Sequence, residues 1–452
     1  KYTVDRREKM SGIGLDIGTT TICGVAMNEN GEVLCSVTLP NDAAVPGKYE
    51  WEKLQDADRI LNLCQQVLDR LKDSLNDHED EETAGPRTLG ISGQMHGILY
   101  VDREGCAVSP LYSWQDGRGN QLFGGKESYC SHLSGLTGYE MASGYGLTTH
   151  YYNLINGLVP ANAAAICTIG DYIAMKLSGK KRPVLHKSMA ASLGLYDLKN
   201  GTFDAEALDA AGIDPALIPE ISGTERYLSE DGKEIPAVAM ALGDNQASFY
   251  GSVSGESKVL VNIGTGSQVS VYTECFDESV DVEYRPYIGG SYLMVGAPLC
   301  GGASYALLRD FFCRIVQAFT GQTPADPYTV MNRLAEQAWA KEERLQVDTR
   351  FRGTRKEPDL RGGIKNVSFD NFTPEDLSIG ILRGMSAELY EIYRKIPEKY
   401  RKTDAITGSG NGIRRNPVLQ RIIEEMFGVP VRIPRYEEEA SRGAALYAMS
   451  LS

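Results

Sequence analysis

Asp16 sits in an apolar run, Ile13-Gly14-Leu15-Asp16-Ile17, that leads straight into Gly18-Thr19-Thr20-Thr21. Glycine lets a chain turn tightly and approach a ligand. Successive backbone N–H groups in such a turn form a nest for anions, and the threonines add hydroxyl donors. A carboxylate two residues before the turn is badly placed to touch a phosphate. It is well placed to hold, through water, a divalent cation that does. The phrase returns about 250 residues later, a domain's length, as Val261-Asn262-Ile263-Gly264-Thr265-Gly266. Either turn alone is an ordinary hairpin. The pair, each directly after an apolar strand, points to two related halves gripping one polyphosphate.

A second carboxylate, Asp244, ends another apolar run and follows Gly243 near the middle of the chain. A carboxylate there can accept a proton from a substrate hydroxyl. It also suits a helix N-cap, since Gln246-Ala247-Ser248 can open a helix. Met95-His96 lies between glycines after a strand, where ligands bind in open α/β sheets; a structural histidine is the plainer alternative. Trp114-Gln115-Asp116-Gly117-Arg118 combines an aromatic face, an amide, an acid and a guanidinium. That mixture suits a polyol, whose C–H faces the ring covers while the polar groups read hydroxyls. The alternative is a surface turn with Trp114 in the core. Residues 408–412, Gly-Ser-Gly-Asn-Gly, let a nucleobase or ribose lie against the backbone, or simply make a tight strand–helix turn.

Other chemistries are excluded. There is no G-x-x-x-x-G-K-[ST] phosphate loop. Gly12-x-Gly14 resembles a dinucleotide fingerprint, but its glycines lie before and within the strand and no helix follows at once. The five histidines show no zinc spacing, and no Gly-x-Ser-x-Gly stands in a strand–turn–helix context. A net charge of −14 argues against nucleic acid and against an anionic membrane surface. Nine cysteines without a C-x-x-C, mostly in apolar contexts, suit reduced thiols in a cytoplasmic protein. No apolar run reaches membrane-span length, and the charged start, 1–9, is no signal peptide.

The elements that must position these residues alternate between strand and helix, which means an α/β architecture. Strands are expected over 13–17, 22–27 and 33–38, with Asn30-Gly31 as a hairpin turn. One apolar stripe, Leu54, Ala57, Leu61, Cys64, Leu68, Leu71 and Leu75, makes a helix over 52–75, closed by an acidic loop over 76–82. A buried strand over 89–92 leads to Met95-His96. Helices are expected near 119–134, 162–177 and 204–212, and a strand from 236 to 242 delivers Asp244. Gly and Ser cluster over 251–256, which places a domain boundary there. Beyond it come the second hairpin, a helix over 304–319 and a polar insertion over 340–370 expected as exposed loop. A helix over 375–396, a strand into the turn at 408–412, and helices over 418–427 and 439–450 complete the chain.

Taken together these motifs resemble the FGGY carbohydrate kinases, and the resemblance runs from Gly12 to Ser450. The turns at Gly18 and Gly264 are similar to the family's two phosphate motifs, Gly243-Asp244-Asn245-Gln246 to the segment carrying its catalytic base, and Gly408 to Asn416 to its adenosine motif. Ser92-Gly93-Gln94-Met95-His96-Gly97 is similar to the ketose branch, and Trp114 to Arg118 to that branch's sedoheptulokinase form; Asn245 is instead more like the xylulokinases. The resemblance implies two actin/hexokinase-like (ribonuclease H-like) α/β domains with a cleft between them, 10–254 for sugar and 255–452 for ATP. It implies transfer of the ATP γ-phosphoryl to the terminal hydroxyl of a ketose, with sedoheptulose ahead of xylulose. Asp244 would be the base, and Mg²⁺ would sit near Asp16 and Asp244. Gln94, Met95, His96, Trp114, Asp116, Arg118 and Asn245 would shape the sugar site. Gly18, Thr19, Thr20, Gly264, Thr265, Gly266, Gly302, Gly410, Asn411 and Asn416 would hold the nucleotide. The expected partners are a small ketose and ATP, with no nucleic acid and no membrane, and there is room for a homodimer. The competing class is an actin-like or chaperone-like ATPase switch, which would share the turns but not need the polyol surface.

Overall fold

The computed structural model describes residues 10–76, 88–221, 226–228, 237–253, 257–354, 357 and 359–451. The charged start, the acidic loop beyond residue 76, the first residue of the strand expected from 236 and part of the 251–256 stretch lie outside them. The chain divides into two compact units. One runs to Gly251 and takes in Arg285–Gly290 and Glu438–Ser452; the other comprises Ser252–Tyr284 and Ser291–Glu437.

The first unit is built on a mixed sheet. Strands Ala237–Ala239, Thr88–Gly93, Met10–Ile17, Thr21–Asn28 and Val33–Pro40 lie side by side in that order. Met10–Ile17 runs antiparallel to Thr21–Asn28 and parallel to Thr88–Gly93. Side chains alternate across a strand, so Ile13, Leu15 and Ile17 enter one buried core, shared with Ile60, Cys64 and Leu71 of helix Ala57–Asn76. Gly12, Gly14 and Asp16 stand on the other face. A Cβ on Gly14 would lie 1.8 Å from the Ser441 carbonyl oxygen, and one on Gly90 1.8 Å from that of Ala444. The glycines that imitate a dinucleotide fingerprint therefore let helix Glu439–Ser450 lie directly on the strand backbones. That helix also crosses helix Asp244–Ser252 at glycine. A Cβ on Gly251 would be 1.9 Å from Glu439 O, and one on Gly443 1.9 Å from Ala247 O. The sequence boundary at 254/255 assigns the closing helix to the second half; its small residues pack it into the first unit.

The second unit repeats the pattern. Tyr292–Gly296, Ser267–Thr273, Val259–Ile263, Ile406–Ser409 and Val431–Arg432 follow one another in its sheet. Val259–Ile263 pairs antiparallel with the strand after its turn and parallel with Ile406–Ser409, as Met10–Ile17 does with its own neighbours. Helix Pro374–Lys395 buries Leu377, Ile381, Met385 and Leu389 on one face, while Ile392, which continues their spacing, is only half-buried.

Three expectations are corrected. The helix over 119–134 is a 3-10 turn, Gly117–Asn120, a small hairpin and then helix Tyr129–Thr137. Gly124 and Gly125 both take positive φ there, which suits a turn and breaks a helix. The helix over 162–177 is strand Ala165–Cys167 followed by helix Ile169–Ser178, capped by Thr168, whose Oγ1 accepts from Asp171 N. The insertion over 340–370 is not all loop. Gln346–Asp348 pairs with Gly363–Lys365, and a Cβ on Gly384 would lie 2.3 Å from Val347 O, so the helix packs tightly on this hairpin. Helices Gly146–Ile155 and Lys187–Ser192 carried no sequence signal strong enough to read. Among the described residues no helix is long and apolar enough to cross a membrane, and the nine cysteines are free thiols.

Candidate active site

Three strands of the first unit end together. Asp16 is in register with Ser92 and Ile17 with Gly93, while Leu242 and Gly243 pair with the same two residues from the other side. Gly18, Gln94 and Asp244 therefore leave the sheet as neighbours, and Asp16 and Asp244 are offset by two strand spacings, about 10 Å, across the sheet and by two residues along it. Asp16 accepts a hydrogen bond from Ser92 Oγ at 2.9 Å. Burial and then the charge of Asp244 push its pKa up to about 6, against the pull of that bond. Asp244 is the first residue of its helix, and its Oδ1 accepts from Asn245 N at 2.7 Å. Burial among protein atoms raises its pKa although the carboxylate reaches solvent; the Asn245 amide and the Arg285 guanidinium pull it down. Arg285 Nη1 also donates to Asn245 Oδ1 at 3.2 Å. Among the described residues there is no cluster of three or more metal-ligating side chains. A carboxylate raised by burial and by a second carboxylate suits a divalent cation, and Mg²⁺ commonly takes one or two carboxylates with phosphate oxygens and water. The residues fit such an ion.

The turn after Asp16 is braced from three sides. Gly18 N donates to Thr21 O at 2.9 Å, and Asn41 holds Gly18 O through its side chain at 2.9 Å and Thr20 O through its backbone at 2.8 Å. Thr19 is tied twice. Its carbonyl accepts from Gln55 Nε2 at 3.1 Å, and its hydroxyl donates to Gln94 Oε1 at 3.3 Å. Gln94 Nε2 donates to Gln55 Oε1 at 2.9 Å, which closes a ring. Trp114 Nε1 donates to the same Thr19 hydroxyl at 3.0 Å. Gln94, expected at the sugar, is thus buried beneath the turn, whereas the Trp114 side chain is 46% exposed.

Around this platform, Met95 is buried beside Gly243, where a Cβ would lie 2.8 Å from its sulfur. His96 has φ 74°, a left-handed conformation that is uncommon for a non-glycine residue and often marks a functional site. Its Nδ1 lies 2.7 Å from Ser192 O, and its ring stacks on Tyr145 at 4.8 Å. A carbonyl only accepts, so Nδ1 carries a proton. Asp116 and Arg118 are not at the surface. Arg118 Nε donates to Asp116 Oδ1 at 2.7 Å, its Nη1 reaches Asn153 Oδ1 at 2.5 Å, and its guanidinium lies 4.0 Å from the Tyr112 ring centroid. Asp116 Oδ2 also accepts from Lys53 N at 3.1 Å. The pair fastens the loop from below, and it is Trp114 that faces outward. The fixed alternation of exposed and buried positions in this loop was not readable from residue type, and neither were the supports Asn41, Gln55 and Arg285.

In the second unit the turn at Gly264 opens a cavity of about 840 Å³ that includes Gly264, Thr265, Gly302, Gly410, Asn411 and Asn416 in its lining. At Gly264 and Gly266 a Cβ would meet none of the described residues within 4 Å, so the turn is open on that side. Gly302 is different: a Cβ there would lie 2.0 Å from Gly264 O, and helix Gly302–Thr320 starts against the turn. Gly410 has φ 83° and lies against Ile263 O. Asn416 lines the cavity while capping helix Pro417–Phe427, its Oδ1 accepting from Leu419 N at 3.0 Å and its Nδ2 donating to Asn332 at 2.9 Å. Tyr305 OH reaches the same Asn332 oxygen at 3.1 Å. Tyr305, Tyr328 and Asn332 line the same cavity and carried no signal in the sequence.

The model of the FGGY family of carbohydrate kinases, N-terminal domain, matches residues 12–247, and that of the C-terminal domain matches residues 259–452. Sedoheptulokinase of Mus musculus is 28% identical, with 96% of each chain covered. Among solved structures, a ligand-bound xylulose kinase from Lactobacillus acidophilus has a TM-score of 0.80 at 19% identity, covering 97% of this chain and 89% of its own. Plasmodium falciparum glycerol kinase with ADP has a TM-score of 0.81 at 16% identity, covering 98% and 90%. The fold is the two-domain actin/hexokinase-like fold of these sugar kinases.

Proposed function

The chain belongs to the FGGY family of carbohydrate kinases and is an ATP-dependent sugar kinase; from that premise we propose that its acceptor is a ketose, sedoheptulose, phosphorylated at the terminal primary hydroxyl. The observation that carries the reaction is the shared register of three strand ends, which sets Asp16, the Gly18 turn and Asp244 side by side. Asp244 orients the hydroxyl and accepts its proton. The sugar oxygen then bonds to the γ-phosphorus, the bond to the β-γ bridging oxygen breaks, and ADP leaves. Phosphoryl transfer asks little covalent work of the protein, so positioning and charge stabilisation dominate. The backbone of the Gly18 and Gly264 turns holds phosphate oxygens, and the cavity of the second unit holds the adenosine. Mg²⁺, held by Asp16 and Asp244 largely through water, would neutralise phosphate charge when bound. Trp114 covers a C–H face of the sugar, and Met95, His96 and Asn245 line its hydroxyls.

The similarity to a sedoheptulokinase along nearly the whole of both chains supports the seven-carbon acceptor, together with the Trp114-Gln115-Asp116 phrase. D-xylulose is the second reading, favoured by Asn245, which Arg285 holds next to the base. The test is ADP production with Mg-ATP against sedoheptulose, D-xylulose, D-ribulose, L-fuculose, glycerol and no sugar. The expected result is the highest kcat/KM on sedoheptulose. A clear preference for xylulose would replace the acceptor and keep the chemistry. Turnover indifferent to every sugar would overturn the ketose reading.

A further inference from the structure

We propose that Thr19 is a positioning residue that joins the sugar platform to the phosphate turn, so that the seating of one is felt by the other. This rests on the reading of Trp114 as sugar-facing. The Thr19 hydroxyl is spent on protein on two sides: it accepts from the Trp114 indole at 3.0 Å and donates to Gln94 at 3.3 Å. Its carbonyl is fixed by Gln55 at 3.1 Å, and Gln55 and Gln94 bond one another at 2.9 Å. Both glutamines are buried, 5% and 3% exposed. Each therefore has strong reason to keep its amide paired, because an unmet buried polar group is costly. The ring leaves Thr19 one arrangement, and the exposed indole takes its orientation from that arrangement. A sugar that presses on the indole presses on the residue whose backbone forms the turn. A hydroxyl used only to contact phosphate would need neither the glutamine ring nor the indole.

The chemistry predicts a particular pattern in steady-state kinetics with the preferred ketose and Mg-ATP. Thr19→Val keeps the shape and removes the hydroxyl. Trp114→Phe keeps a ring and removes the N–H. Each should raise the ketose KM and lower kcat by about three- to tenfold, the range of one lost hydrogen bond. Thr19→Ser should restore both constants to near wild-type values. The double variant Thr19→Val/Trp114→Phe should be no worse than the poorer single variant, because both remove the same bond. Additive losses would overturn the proposal, and so would a Trp114→Phe enzyme that changes only the ketose KM. If Thr19→Val fails to fold, Trp114→Phe at its exposed position still decides through the split between KM and kcat. Wild-type enzyme with no ketose activity would defeat the acceptor reading and this proposal with it; ketose activity with additive variants would defeat this proposal alone.

Discussion

Gly264→Ala separates a glycine kept for the fold from one kept for a ligand. At Gly264 an added Cβ meets none of the described residues within 4 Å, and the residue is not in the left-handed region. The fold should therefore accept alanine with a stability change within about 0.5 kcal/mol, or gain slightly from the stiffer unfolded chain. If the empty space is where a phosphate lies, the methyl group enters that space. One backbone hydrogen bond to a charged oxygen is worth about 1.5–3 kcal/mol, so ATP affinity should fall by roughly 10- to 150-fold. Gly302→Ala is the control. Its Cβ would lie 2.0 Å from Gly264 O, so helix and turn must part, and overpacking of this kind costs about 1–3 kcal/mol. Thermal unfolding of the free protein and calorimetric titration with ATP read the two effects separately. Gly264→Ala with a normal melting temperature and weakened ATP binding is the expected result. Unchanged ATP affinity would refute the assignment of that space to phosphate.

Asp244→Asn should lower kcat by about a thousandfold or more while leaving ATP binding nearly intact; near-normal turnover with ketose would remove Asp244 as the base. Arg118→Met should act on stability, costing about 3–5 kcal/mol because it strands the buried Asp116 carboxylate; denaturant unfolding measures this, and a variant of normal stability with a raised ketose KM would return Arg118 to the sugar. Asp171 is buried, its Oδ1 has no hydrogen-bond partner among the described residues, and burial lifts its pKa to about 8. A carboxyl raised on folding stabilises the native state fully below the unfolded pKa of 3.8, and that contribution is lost as pH climbs to about 8. Melting temperatures from pH 4 to 9 should therefore show a decline that Asp171→Asn flattens; an identical slope in the variant would count against a protonated Asp171.

The sequence displays features whose cause is local. The two Gly-Thr turns and the apolar strands before them are visible because a tight turn and a buried strand each demand particular residues at fixed spacing. Leu377, Ile381, Met385 and Leu389 are visible because one helix face sets their period. What was hidden depends on partners far away in the chain. Gln94 looked like a sugar contact until Gln55 and Thr19 occupied its amide. Arg118 looked like a reader of hydroxyls until Asn153, on another helix, took one arm of its guanidinium. Gly12 and Gly14 could be rejected as a cofactor motif by their position, but only the closing helix explains them.

That helix also bears on the order in which the protein can be made. A ribosome delivers the chain from its first residue, and domains tend to fold as they emerge. Here the face of the first sheet at Gly14 and Gly90 stays bare until Ser441 and Ala444, far along the chain from both, arrive to cover it. The first unit therefore cannot be sealed until the residues of the second have been made. A chain cut short before Glu439 would hold Asp16, Asp244 and the cavity of the second unit with its first sheet unsealed. Such a product should be cleaved by proteases more readily than the chain that carries the helix.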